Sequence, residues 1–190
     1  MRTVQSAPPA EPFAVIPDWV AQGAPSAVLI PIFEDEGESW ILFTRRAQEM
    51  RRHRGEVSFP GGRRDDSDDS LLATALREAR EEIGLDPATV EIVGELAPIA
   101  TFSSRTMIHP YVGRLPGRPV DLVPNPAEVE LVLTVPVGEL LAPDTFREEI
   151  WNRPDRGYSR MPFFEVVGDT IWGATGFFVF ELLALLSTAA

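Results

Sequence analysis

The tightest constraint on this chain is residues 61–85. A Gly61-Gly62 pair is followed by a run of aspartates and serines, then Leu71-Leu72-Ala73-Thr74-Ala75-Leu76-Arg77-Glu78-Ala79-Arg80-Glu81-Glu82-Ile83-Gly84-Leu85. Leu72, Ala75, Leu76, Ala79 and Ile83 recur at helical spacing, which predicts a helix over residues 69–83 with an aspartate or serine cap at its start. On such a helix Glu78, Glu81 and Glu82 stand at i, i+3 and i+4 and share one patch. Like charges so close repel and lower helix stability. The patch therefore calls for a cation, and the hard divalent ions Mg²⁺ and Mn²⁺ prefer oxygen ligands of this kind. A lone Glu-x-x-Glu-Glu is most often a solvated acidic face. The glycine pair ahead of this one, the arginine inside it and Gly84 after it set it apart.

The run Arg77-Glu78-Ala79-Arg80-Glu81-Glu82-Ile83-Gly84-Leu85 behind Gly61-Gly62 resembles the Nudix box. The helical half matches throughout. In the front half, the spacing from Gly62 to Arg77 is one residue longer than usual. The acidic residue that the family carries upstream of the arginine falls on Asp69, an aspartate instead of a glutamate. The extra residue falls in a loop, where insertions are tolerated. The resemblance implies an α/β fold, an α/β/α sandwich around a mixed central sheet, and hydrolysis of nucleoside diphosphate derivatives. It also implies an Mg²⁺ or Mn²⁺ cofactor held by Glu78, Glu81 and Glu82, one of which is also a candidate to take the proton of the attacking water. Glu128, in Asn125-Pro126-Ala127-Glu128, is the candidate for a further ligand or base; the alternative is a solvated loop acid. Arg77 is expected to pair with a carboxylate of the cluster or with a loop carbonyl.

The residues before the box narrow the substrate. Thr44, Arg46, Ala47, Arg51, Gly55, Phe59, Pro60, Gly61 and Gly62 fall in register with a signature similar to that of the coenzyme A pyrophosphatase subgroup of Nudix hydrolases. That resemblance implies cleavage of coenzyme A to 3′,5′-ADP and 4′-phosphopantetheine. It implies substrate contacts from Arg45, Arg46, Arg51, Ser58, Phe59, Gly61 and Gly62. The chain has no lysine, so every fixed side-chain cation is an arginine, and Arg45, Arg46, Arg51, Arg52, Arg54, Arg63 and Arg64 crowd one short segment. The guanidinium fork suits phosphate oxygens. The net charge of −12 does not keep a nucleotide from a local basic patch, because salt screens long-range repulsion. The same arginines can instead solubilise a loop or pair with nearby acids. Alternative substrates are ADP-ribose, dinucleotides or other nucleoside diphosphate derivatives, and a non-catalytic nucleotide sensor is the alternative outside enzymology. His53 is expected at most to touch ligand, and His109 to be structural.

The 190 residues fit one domain, residues 13–190, behind a proline-paired tail at residues 1–12. The acidity argues against general nucleic-acid binding. With no cysteine, disulfides, thiolate catalysis and zinc-thiolate sites are excluded, in keeping with a cytoplasmic protein. No secretory leader is legible in the first residues. Strands are expected over residues 27–33 and 40–44 as a hairpin, then over 90–97, 108–114 and 131–135, with residues 56–59 leading into the glycine loop. A helical turn is expected over 136–141, and a hairpin over 163–172 with Gly168-Asp169 at its turn. Thr101 and Ser104 are expected beside the pocket. Residues 172–186 read as an apolar helix too short to span a membrane. It is expected to close the core, with a homodimer or membrane-surface contact as the alternative.

Overall fold

The structure, a computed structural model, describes residues 25–48, 55–101, 106–153 and 157–189. Arg51, His53, Ser104 and the expected tail lie outside the described residues. The sheet begins with β1 (Ser26–Asp35) and β2 (Glu38–Arg46), an antiparallel hairpin that pairs Ile32 with Ile41 and Asp35 with Glu38. Side chains alternate across a strand, and both faces of this hairpin are apolar. Ala27, Leu29, Phe33 and Leu42 pack into one cluster, and Ile30, Ile41 and Phe43 into another. A sheet apolar on both faces must be covered on both.

Beyond Ile32 and Ile41 the two strands splay apart, and a wedge fills the gap. In this wedge β3 (Val57–Ser58) pairs with β2, and β4 (Gly61–Arg63) pairs with β1. Leu29 N–H donates to the Pro60 carbonyl (2.9 Å) at the tip of the wedge. Phe59 is buried there and stacks on Phe43, with ring centroids 4.8 Å apart.

The helix α1 (Leu71–Ile83) covers one face, with Ala75, Ala79 and Ile83 buried against β1. It starts and stops where expected. Ser70 Oγ accepts from Ala73 N–H (3.1 Å), and Gly84 takes the left-handed φ of 71° that ends the helix. After a single 3₁₀ turn at Pro87–Thr89 come β5 (Glu91–Glu95), β6 (Ile99–Thr101) and β7 (Thr106–Arg114). Strand β7 runs parallel to β1 and carries β5 and β6 antiparallel on its other side. Strand β8 (Val129–Pro136) pairs antiparallel with β2, which completes an eight-stranded mixed sheet.

The other face is covered by the C-terminal part of the chain. The short helix α2 (Val137–Leu140) leads to β9 (Phe146–Arg153), β10 (Gly157–Val166) and β11 (Asp169–Ile171), a second, three-stranded antiparallel sheet. The last helix, α3 (Gly173–Ala189), buries Phe178, Val179, Leu182 and Leu183 with Phe164 and Ile171 against Ile30, Ile41 and Phe43. No helix among the described residues is long and apolar enough to cross a membrane.

The expected sandwich is therefore present, with one addition. A hairpin is expected over 163–172, whereas β10 starts at Gly157 and pairs from Gly157 to Phe164 with the whole of β9. The turn falls at Val167-Gly168, so Asp169 stands in β11. Phe178 is 1% exposed. Phe178→Ala should lower stability by about 3–5 kcal/mol in urea unfolding, whereas a peripheral α3 would show almost no change.

Candidate active site

The wedge delivers Gly61 and Gly62 to the carboxylate face of α1. A Cβ on Gly62 would lie 2.4 Å from Glu78 Oε1, and one on Gly61 would lie 2.3 Å from the Ala27 carbonyl. Only a residue without a side chain lets β4 pair with β1 while the backbone meets the helix. Gly61 N–H also donates to Glu82 Oε2 (3.3 Å).

The three glutamates separate by environment. Glu82 is 3% exposed, Glu78 is half-buried and Glu81 is exposed. Burial pushes Glu82 up to about 8; Glu78 and Glu128 push the same way, and Arg46 and the Gly61 N–H oppose them. Burial also raises Glu78, Arg77 opposes, and Glu81 and Glu128 add repulsion. Glu128 thus lies within electrostatic reach of both. Backbone bonds put it there: Val123 N–H donates to the Ile83 carbonyl (2.9 Å) and Asn125 N–H to the Glu82 carbonyl (2.8 Å). The loop before β8 caps the end of α1, and Ala47 N–H holds the Glu128 carbonyl (2.9 Å).

Arg77 organises the other side. Its Nε and Nη2 donate to the two oxygens of Asp68 (2.9 and 3.0 Å), and Nη1 lies 2.9 Å from both Glu78 Oε1 and Glu81 Oε2. Nη2 also reaches the Arg63 carbonyl (3.2 Å). Both expected kinds of partner, carboxylate and loop carbonyl, are present.

Asp68 was missed in the sequence. It is buried, accepts from Asp65 N–H and Thr74 Oγ1, and Arg77 holds its carboxyl far below the usual range. Asp69, on which the family's acidic position falls by spacing, is exposed. The one-residue expansion of the loop moves the anchoring carboxylate to Asp68. The signal was Thr74, whose hydroxyl sits on the inner face of α1 beside it.

The arginine pair at the end of β2 splits across a register shift between Arg45 and Arg46. Arg46 Nη1 lies 3.8 Å from Glu82 Oε1, and among the described residues the buried Nε atoms of Arg45 and Arg46 have no hydrogen-bond partner. Arg45 points elsewhere, to Asp169 (3.2 Å to each oxygen) and Glu130 (3.5 Å). Ser58 Oγ lies 3.3 Å from Thr44 Oγ1, and Phe59 faces the core. Of the expected substrate contacts, the structure brings Arg46, Gly61 and Gly62 to the glutamates. It turns Arg45 and the Phe59 ring away. Thr101, in β6, donates to the Thr106 carbonyl of β7, and burial lowers the pKa of the His109 imidazole, also in β7.

The donor set suits a hard divalent ion. It consists of oxygens, and two of its carboxylates are raised by burial, which leaves the site short of positive charge. Among the described residues no three acidic or histidine side chains already converge on one point. Arg77 holds Glu78 and Glu81, so an ion there competes with Arg77 for them.

Comparison with known proteins accords with this geometry. The NUDIX domain profile matches residues 23–154. An uncharacterised Nudix hydrolase, NudL, of Photorhabdus laumondii is 37% identical over 157 residues, 83% of this chain and 82% of the relative. The peroxisomal coenzyme A diphosphatase NUDT7 of Mus musculus is 40% identical over 132 residues, 70% of this chain and 55% of that protein. Among solved structures, a MutT/nudix family protein from Enterococcus faecalis superposes with a TM-score of 0.56 at 13% identity. That match covers 96% of this chain and 66% of that one, and it shows likeness of fold.

The raised Glu82 makes a signed prediction for the metal-free protein. Its folded pKa exceeds the ordinary 4.5, so its contribution favours folding below that value and is lost as pH rises through about 8. In EDTA, Glu82→Gln should melt above the wild type at pH 8, and the gap should close toward pH 5. A gap independent of pH would contradict the burial of a charge at this position.

Proposed function

Because this chain belongs to the Nudix family of pyrophosphohydrolases, we propose that it cleaves the diphosphate of coenzyme A or its acyl derivatives to 3′,5′-ADP and 4′-phosphopantetheine or its acyl form. The observation that carries this reading is the segment from Thr44 to Gly62. Its register resembles the coenzyme A subgroup, and its described part forms the end of β2 and the wedge that brings Arg46 to Glu82. The mouse relative, named a coenzyme A diphosphatase, supports the same substrate class.

On this reading Glu78, Glu81 and Glu82 hold Mg²⁺ or Mn²⁺, which when bound neutralises phosphate charge and acidifies water. The remaining work falls to the chain. Arg46, its side chain part-exposed beside the buried acid, turns its guanidinium toward a phosphate oxygen. Gly61 and Gly62 let the wedge backbone press against Glu78 and β1, which fixes the place of the carboxylates. Glu128 is not among the partners of Arg77 and is the candidate to accept the proton of the attacking water. A P–O bond forms to that water as the bridging P–O bond breaks, and the second phosphate leaves with the bridging oxygen. Arg77, held by Asp68, positions Glu78 and Glu81. Soluble handling of a small nucleotide in the cytoplasm is part of this proposal.

The test is incubation with coenzyme A, ADP-ribose and NADH, each with Mg²⁺ or Mn²⁺, and identification of products by mass. Selective release of 3′,5′-ADP and 4′-phosphopantetheine is expected, and preferred cleavage of ADP-ribose or NADH would overturn the substrate. EDTA should abolish turnover, and either ion should restore it. Glu82→Gln should lower kcat by roughly 100-fold or more with an unchanged circular dichroism spectrum; near-normal turnover would remove Glu82 from the metal site.

A further inference from the structure

The ladder between β2 and β8 slips by one residue beside the glutamate site. Arg45 pairs with Leu131 and Arg46 with Val129, so Glu130 is passed over. Continued in register, Arg46 would meet Glu130. A slip of this kind bends the strand locally and re-aims the side chains beside it. Here one of those side chains is Arg46, whose Nη1 lies 3.8 Å from Glu82. Whatever holds the slip therefore bears on the direction of that guanidinium.

The slip is held from the second sheet. Arg45 Nη1 lies 3.2 Å from each oxygen of Asp169 in β11, and Arg45 Nη2 lies 3.5 Å from Oε1 of Glu130, the residue passed over. Gln48 Nε2 donates to the other oxygen of Glu130 (3.4 Å). The Arg45 guanidinium thus joins β11 to the bulge itself. The Asp169 side chain is 7% exposed. A carboxylate so far from water depends on its cationic partner, because losing that partner leaves a buried charge uncompensated. Both ends of the pair stand on paired strand. Asp169 is opposite Val166 of β10, and Arg45 lies between Val57 of β3 and Leu131 of β8.

Arg46 shares that stretch of backbone. Its N–H donates to the Glu56 carbonyl and its carbonyl accepts from Gly55 N–H, both at 3.1 Å. Its side chain leaves toward α1, and that of Arg45 toward the second sheet. The peptide between the two residues is planar, so a rotation of β2 here turns both guanidinium groups together.

We propose that Asp169 is a positioning residue for the diphosphate site: by holding Arg45 it clamps the slip between β2 and β8, and so keeps Arg46 aimed at a phosphate oxygen beside Glu82. Its effect passes through Arg45 and the strand. Asp169 lies beyond residue 154, where the family profile ends, so the C-terminal part of the chain acts on the site through backbone. This role rests on the reading of Arg46 as a phosphate contact and deepens it, whichever nucleoside diphosphate derivative is cleaved.

The experiment is a double-mutant cycle between Asp169→Asn and Arg46→Ala, with thermal melts of each variant and kinetics on coenzyme A. If the wild type cleaves ADP-ribose or NADH instead, the coenzyme A reading alone is overturned and the cycle is run on that substrate. Asparagine keeps the size of the side chain and removes its charge. Asp169→Asn should raise KM about tenfold, with kcat changed less than KM. In the Arg46→Ala background the same substitution should change KM by less than about twofold, because its effect is routed through the residue already removed. Asp35→Asn, which takes away a carboxylate bound to Arg118 at the far end of β1, controls for the loss of an ion pair and should leave KM unchanged. If Asp169→Asn melts below the assay temperature, Arg45→Lys takes its place in the cycle. It keeps the charge and loses the fork, and it should raise KM with the same dependence on Arg46. An unshifted KM in the folded variant, an equal shift in Asp35→Asn, or a full further rise in the Arg46→Ala background would overturn the positioning role and leave the phosphate contact standing. A wild-type KM in Arg46→Ala would overturn both.

Discussion

The close approach of the Gly61-Gly62 backbone to α1 is the contact on which the rest depends. It exists because β1 and β2 part after Ile32 and Ile41 and accept the wedge between them. Ladder bonds on both flanks hold the wedge, and the stack of Phe59 on Phe43 anchors it from the core. Glu82 and Glu78 are then pressed against backbone instead of water, while Glu81 stays exposed. A carboxylate buried in this way is destabilised as an anion. The protein thus carries an electrostatic cost at Glu82 and Glu78 that a cation offsets, and this ties the packing of the loop to the chemistry of the site. Activity and metal-free stability should therefore oppose each other at Glu82.

Arg77 and Arg46 divide the task of supporting that cluster. Arg77 is locked by the bidentate contact with Asp68, itself held by Thr74 and the Asp65 N–H, so it acts as a rigid brace for Glu78 and Glu81. Arg46 meets Glu82 at a longer 3.8 Å with its side chain part-exposed. One guanidinium is held by several bonds and the other by a single longer contact. Arginine serves both ends because its fork is planar and permanently charged.

The second sheet changes how the arginine-rich segment is understood. By composition alone Arg45 and Arg46 are equivalent phosphate binders. The structure sends them apart, Arg46 to the helix and Arg45 to Asp169 on β11. That split follows from the strand, where neighbouring side chains leave on opposite faces. Asp169 could be paired with Arg45 only after β10 and β11 were placed, a contact 124 residues apart in the chain.

What could be read without the structure was local. The helix α1 was legible because its periodicity, its Ser70 cap and its Gly84 stop all lie within the same short run. The hairpin of β1 and β2 was legible from two apolar runs around an acidic turn, and the helical cluster of Glu78, Glu81 and Glu82 from spacing alone. Strand β9 was not. Its Phe146-Arg147-Glu148-Glu149-Ile150-Trp151-Asn152 run carries charges that face outward, and its pairing with β10 is a relation between strands. Nor could spacing choose between Asp68 and Asp69, since burial against Thr74 and Arg77 makes that choice. The sequence by itself determined which residue types and which helix carry the carboxylates, because both depend on neighbours a few positions apart. Only the tertiary structure decided which acid is buried and which arginine faces it. Those properties arise where distant segments meet and exclude water.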